Sequence, residues 1–141
     1  MRRKVRWLLK PSHLEIDMPT RYNTTLRNAR LSAILTEAGA SALIELYDGA
    51  QPATLGGAPA GNLLVEATGD ATAFGTVASG VLTGNTIVGD TSANNSGTPT
   101  WCRIKKSGGT VVADVPVSGM PAAVAGQSYD ITTLTITEGN A

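Results

Sequence analysis

Hydrophobic and polar positions alternate most regularly between Thr98 and Val117, T-P-T-W-C-R-I-K-K-S-G-G-T-V-V-A-D-V-P-V. Two runs rich in β-branched and aromatic residues flank Ser107-Gly108-Gly109, and a glycine loop between such runs predicts an antiparallel hairpin. Side chains alternate across a strand, so Trp101, Arg103 and Lys105 share one face of the first run while Cys102 and Ile104 share the other. In the second run Val111, Ala113, Val115 and Val117 oppose Val112 and Asp114. The pattern predicts one face turned to a core and one turned to water or a partner.

Between Asn23 and Ala38 the spacing becomes helical. Leu31, Ile34, Leu35 and Ala38 follow the i, i+3, i+4, i+7 rule, with Leu26 one turn earlier near the same side. Asn23 is suited to cap the N-terminus and Gly39 to end the helix, and Arg27 and Arg30 fall on a more polar face. Ala42 to Asp48 reads as a strand with Ile44 and Leu46 on one side and Glu45 and Tyr47 on the other, closed by the turn signal Asp48-Gly49. Gln51 to Gly61, rich in Pro, Gly and Ala, reads as an exposed loop. Asn62 to Thr68 resumes strand character, and Phe74–Val77, Val81–Thr83 and Thr86–Val88 are short strand candidates punctuated by Gly75, Gly80, Gly84 and Gly89. The last candidate is Tyr129 to Thr137, where Ile131 lies out of phase with Leu134 and Ile136 and predicts a bulge. The expected fold is mainly β: an antiparallel β-sandwich or jelly-roll-like body with one N-terminal helix.

Composition agrees with that picture and adds a division of charge. Sixteen glycines and only 16% charged residues in 141 suit short strands joined by tight turns, and the length suits one domain. The net charge is zero, yet residues 1–30 hold Arg2, Arg3, Lys4, Arg6, Lys10, Arg21, Arg27 and Arg30 against Glu15 and Asp17, an excess of +6 balanced by −6 in the remainder. The organisation expected is a basic N-terminal arm over 1–22 and a single β-rich domain over 23–141. Leu14 and Ile16 give the arm a short segment able to add to a neighbour as an extended strand. Such an arm is suited to nucleic acid, an anionic membrane or the acidic surface of a neighbouring protein, or is simply solvated. The apolar run Trp7-Leu8-Leu9 ends at Lys10-Pro11, far short of a signal-peptide core, and no stretch approaches a membrane span.

The residues offer little for catalysis. His13 is the only histidine, which removes ordinary histidine-based triads and multi-histidine metal sites. Glu45, Asp48, Glu66, Asp70, Asp90 and Asp114 lack calcium-loop spacing and read as solvated acids on strand faces and in turns. Gly56-Gly57-Ala58-Pro59-Ala60-Gly61 resembles a phosphate loop only in its glycine count. Cys102, the single cysteine, reads as a small buried hydrophobe. Trp101 beside Arg103 and Lys105 reads either as a sheet face or as a stacking platform for nucleic acid or sugar, with the former favoured. No catalytic residue, cofactor or metal is expected, and neither a membrane nor nucleic acid is an expected partner.

Five stretches carry a family resemblance: M-P-T-R-Y-N-T-T-L-R-N-A-R-L-S-A-I at 18–34, L-I-E-L-Y-D-G-A-Q-P-A at 43–53, G-V-L-T-G-N-T-I at 80–87, G-T-P-T-W-C-R-I at 97–104 and L-T-I-T-E-G-N-A at 134–141. Together they resemble small virion structural proteins of tailed bacteriophages, and residues 1–17 depart from that pattern. The resemblance implies a head decoration or cement protein on the capsid surface of the virion, made in the bacterial host cytoplasm. Its implied partners are the major capsid protein and copies of itself, as trimers or dimers. On that expectation Arg2, Arg3, Lys4 and Arg6 pair with acidic capsid groups while Trp7, Leu8 and Leu9 anchor in an apolar cleft. The alternatives are a head-to-tail connector or tail component, and a carbohydrate-binding adhesion module using Trp101 or Tyr47 on an exposed face.

Overall fold

The computed structural model describes residues 21–138. Helix α1 (Thr24–Ala38) begins where the Asn23 side chain accepts the Leu26 N–H at 2.8 Å and ends where Gly39, at φ +67°, donates back to the Leu35 carbonyl. Leu31 and Ala38 are buried, with Ile34 and Leu35 packed beside them, as the spacing predicts. Leu26 departs from that stripe and stays 45% exposed.

Seven strands follow: β1 (Leu43–Tyr47), β2 (Leu63–Thr68), β3 (Gly75–Ala78), β4 (Val81–Gly84), β5 (Trp101–Lys105), β6 (Val111–Pro116) and β7 (Thr135–Thr137). They form two antiparallel sheets, one ordered β2-β1-β5-β6 and the other β3-β4-β7. The body is mainly β and sandwich-like. Ile44, Leu46, Val65, Cys102 and Ile104 from the first sheet meet Phe74, Leu82 and Leu134 from the second region, and the helix adds Leu31 and Ala38 to the same cluster. Burial of this apolar surface, at roughly 25 cal/mol per Å², is what holds the layers together.

Turn chemistry fixes the hairpins. Ser79 and Gly80 both adopt positive φ between β3 and β4, the geometry a two-residue hairpin requires. That turn seats on the helix: Gly80 N–H donates to Asn28 Oδ1 at 2.7 Å, and a Cβ at Gly80 would meet the Arg27 guanidinium at 2.6 Å. Between β5 and β6 the Gly109 N–H closes onto the Lys106 carbonyl at 2.8 Å.

Four expectations are corrected. Tyr129–Thr137 is not one strand: Tyr129 bridges Asp90 alone, Ile131 and Leu134 are both buried three residues apart, and regular pairing starts only at Thr135. Two apolar anchors at odd spacing cannot both point inward from a straight strand. Thr86–Val88 reduces to one bridge between Val88 and Thr68. A register shift opposite Ile104 and Lys105 pairs Lys105 with Val111, which moves Val111 onto the face of Asp114 and away from that of Ala113. Most important, the first sheet is buried on both faces over β1 and β5: Glu45 and Arg103 are 7% and 5% exposed.

Candidate functional site

The register of the four-stranded sheet lines up Glu66, Glu45, Arg103 and Asp114, one from each strand, on the face away from the main core. Tyr47 pairs with Trp101 in the adjacent row, and their rings stack with centroids 4.4 Å apart and planes 8° from parallel. The Arg103 guanidinium lies 5.2 Å from the Trp101 ring centroid and 5.9 Å from that of Tyr47. It also forks onto Asp114, Nε to Oδ1 at 2.7 Å and Nη2 to Oδ2 at 3.0 Å. Lys105 Nζ pairs with Glu45 Oε1, and Tyr47 OH donates to Glu45 Oε2 at 2.8 Å. At the exposed end, Glu66 accepts from Asn94 Nδ2 at 3.1 Å.

These partners set the ionisation of the row. The hydrogen bond from Arg103 holds the Asp114 carboxyl below the usual carboxylate range, and the same bond raises Arg103. Burial, reinforced by the Glu45 carboxylate, pushes the Tyr47 phenol up to about 12.

The segment from Gly49 to Gly61 straps this face. Its ends close on each other, since a Cβ at Gly49 would meet Gly61 Cα at 3.1 Å, and Asp48 Oδ1 accepts the Asn62 N–H across the neck. Its middle is gripped by the row beneath: Arg103 Nη2 donates to the Gly57 carbonyl at 2.9 Å, and Gly56 N–H donates to Asp114 Oδ2 at 3.1 Å. Gln51 Nε2 donates to the Asp114 carbonyl at 3.0 Å. The outer side of the strap is exposed as its composition predicts, while its inner side is an Ω-loop lid held by a buried ion pair. The Gly56-Gly57 pair therefore serves a carboxylate and a guanidinium of its own sheet.

The charged groups of the row pair with one another, while the buried Trp101 Nε1 finds no hydrogen-bond partner. Trp101 is 1% exposed and Tyr47 7%, so no ring face is presented for a sugar or base, and the exposed-platform premise is corrected. The expectation of solvated acids fails for Glu45 and Asp114 and is refined for others. Asp48, Asp70 and Asp90 accept from Asn62, Thr72 and Ser92, fastening turns. Cys102 lies fully buried on the opposite face, its thiol pushed up to about 12 by burial. Among the described residues no three His, Cys, Asp or Glu side chains group to hold a metal. No helix among them is long and apolar enough to cross a membrane.

The sheet edges differ in how they are finished. Along β2, Val88 exchanges both backbone bonds with Thr68, Asp90 Oδ2 accepts the Glu66 N–H, and Asn94 N–H and Asn95 Nδ2 donate to the Leu64 and Leu63 carbonyls. That edge is closed. On β6 the outer edge is blunted by Pro116, which lacks an N–H, and by Gln51 on the Asp114 carbonyl. On β7, Gly84 N–H donates to the Leu134 carbonyl and Glu138 N–H to the Gly80 carbonyl, so by ladder alternation the peptide groups of Thr133, Thr135 and Thr137 point away from β4. Among the described residues nothing pairs with them. Beside this open edge lies a cleft of about 200 Å³ lined by Pro116, Val117, Ser118, Met120, Thr133, Leu134 and Thr135.

The sequence singled out Arg2, Arg3, Lys4, Arg6, Trp7, Leu8 and Leu9 as contact residues, and all lie outside the described residues. The β7 edge was not anticipated; its one signal was the uncharged threonine alternation after Ile131. No protein-family model, curated protein or solved structure matches the chain.

Proposed function

We propose that the chain is a structural protein of a tailed-bacteriophage virion, a decoration or cement protein bound to the outside of the major capsid shell. The observation that carries this reading is the internal pairing of Glu45 with Lys105 and of Arg103 with Asp114 beneath the strap. The groups best equipped for chemistry are engaged with one another and act on the fold. The family resemblance of residues 18–141 supports the same role, and the basic residues of the arm supply the reach across joints between neighbouring capsid subunits.

On this reading the protein performs no reaction, and its partners are the capsid protein and further copies of itself. Adding purified protein to empty heads and counting bound copies tests it. Saturation at hundreds of copies, reduced on deletion of residues 1–17, is the expected result. Binding of roughly a dozen copies at one vertex would assign the chain to a connector instead, and no binding to heads would end the reading.

A further inference from the structure

We infer that the open edge of β7 is a strand-acceptor site, and that its occupant is residues 12–18 of the same chain. The acceptor side is defined by geometry. Among the described residues nothing pairs with three successive outward peptide units, at Thr133, Thr135 and Thr137, and β7 has no Lys, Pro or bulge to protect them. The neighbouring cleft offers Val117, Met120 and Leu134 as an apolar floor. Strand addition draws affinity from backbone bonds and specificity from alternate side chains.

The donor is marked by its pattern and by where the described chain begins. Ser12-His13-Leu14-Glu15-Ile16-Asp17-Met18 runs between Pro11 and Pro19, with Leu14, Ile16 and Met18 on one face of an extended segment. Prolines at both ends limit pairing to that window. Chain entry lies at the right corner: Arg27 Nη1 donates to the Glu138 carbonyl at 3.1 Å and Arg30 Nε pairs with Glu138 Oε1 at 3.2 Å, so the first half of α1 sits against the end of β7. From Leu14 to Arg21 an extended chain reaches about 23 Å, more than the roughly 17 Å from Thr133 to Glu138. The window holds Glu15 and Asp17 and no Lys or Arg, so its fit to the edge rests on backbone pairing and on Leu14, Ile16 and Met18.

The inference does not depend on the capsid reading, because it concerns one chain in isolation. Hydrogen exchange of the Thr133, Thr135 and Thr137 amides in the full chain tests it. Exchange about tenfold or more slower than in the full-length Leu14→Asp/Ile16→Asp variant, at every protein concentration, is the expected result. Unchanged burial of Cys102 toward a thiol reagent verifies that the variant remains folded. Rapid exchange of these amides in the full chain overturns the inference. So does protection that vanishes on dilution, which would make a second copy the occupant, or protection that survives in the variant.

Discussion

Arg103 and Asp114 face each other directly across the β5–β6 register and bond through two parallel contacts, at 2.7 and 3.0 Å, with side chains only 6% and 3% exposed. Both also reach the strap, Arg103 through the Gly57 carbonyl and Asp114 through the Gly56 N–H. One ion pair thus joins two strands and fastens the loop that covers them.

Removing one member leaves the other charge buried and unpaired. Arg103→Ala is expected to cost about 3–5 kcal/mol, whereas replacing both residues by apolar ones of similar size, Arg103→Met with Asp114→Leu, is expected to be nearly neutral. Urea unfolding of the two variants measures this. The double variant should also be cut faster by protease within residues 50–60, since the strap has lost both its grips. Equal destabilisation by the single and double changes would contradict the account.

The pH dependence has two limbs. Asp114 titrates lower in the fold than its ordinary 3.8, so its contribution is present above that value and is lost as pH falls through the lower folded value. Tyr47 is raised from 10 to about 12, so its contribution is present below pH 10 and is lost between pH 10 and about 12. Phenolate absorbance should show Tyr47 ionising near the upper limit, and Tyr47→Phe should flatten the alkaline loss. A Tyr47 that titrates at 10 would remove this limb.

Cys102 is 0% exposed with a thiol pushed up to about 12. Its reaction with a thiol reagent should be slower than in denaturant by about a thousandfold or more, because attack waits for a large-scale opening. Comparing rates with and without urea checks this, and rapid labelling of the folded chain would place the thiol elsewhere.

Two glycines separate close approach from bare turn chemistry. A Cβ at Gly61 would collide with the carbonyl and carboxylate of Asp48 at the neck of the strap, while a Cβ at Gly108 meets nothing within 4 Å. Gly61→Ala should cost roughly 1–3 kcal/mol, and Gly108→Ala should change stability by less than about 0.5 kcal/mol. Thermal unfolding of both variants decides it.

Much of this fold is local and was legible in the chain. The helix between Asn23 and Gly39, the hairpin around Ser107-Gly109 and the strands near Ile44 and Leu64 follow from capping chemistry, glycine placement and alternation, which act between residues close in sequence. Alternation also put Glu45 with Tyr47, and Trp101 with Arg103, each pair on one side of its own strand, and the register joined the two into one face. That this face is covered was decided only in three dimensions. Gly56 and Gly57 lie some fifty residues from Asp114 and Arg103 in the chain, and no periodicity links them. The same holds for β2, whose edge is closed by Val88 and Asp90, and for β7, whose edge no described residue pairs. Sequence set which side chains share a strand face, because that is fixed by a two-residue repeat. Tertiary structure chose what lies against each face and edge, because that depends on contacts whose closure cost and reward are settled only when distant segments meet.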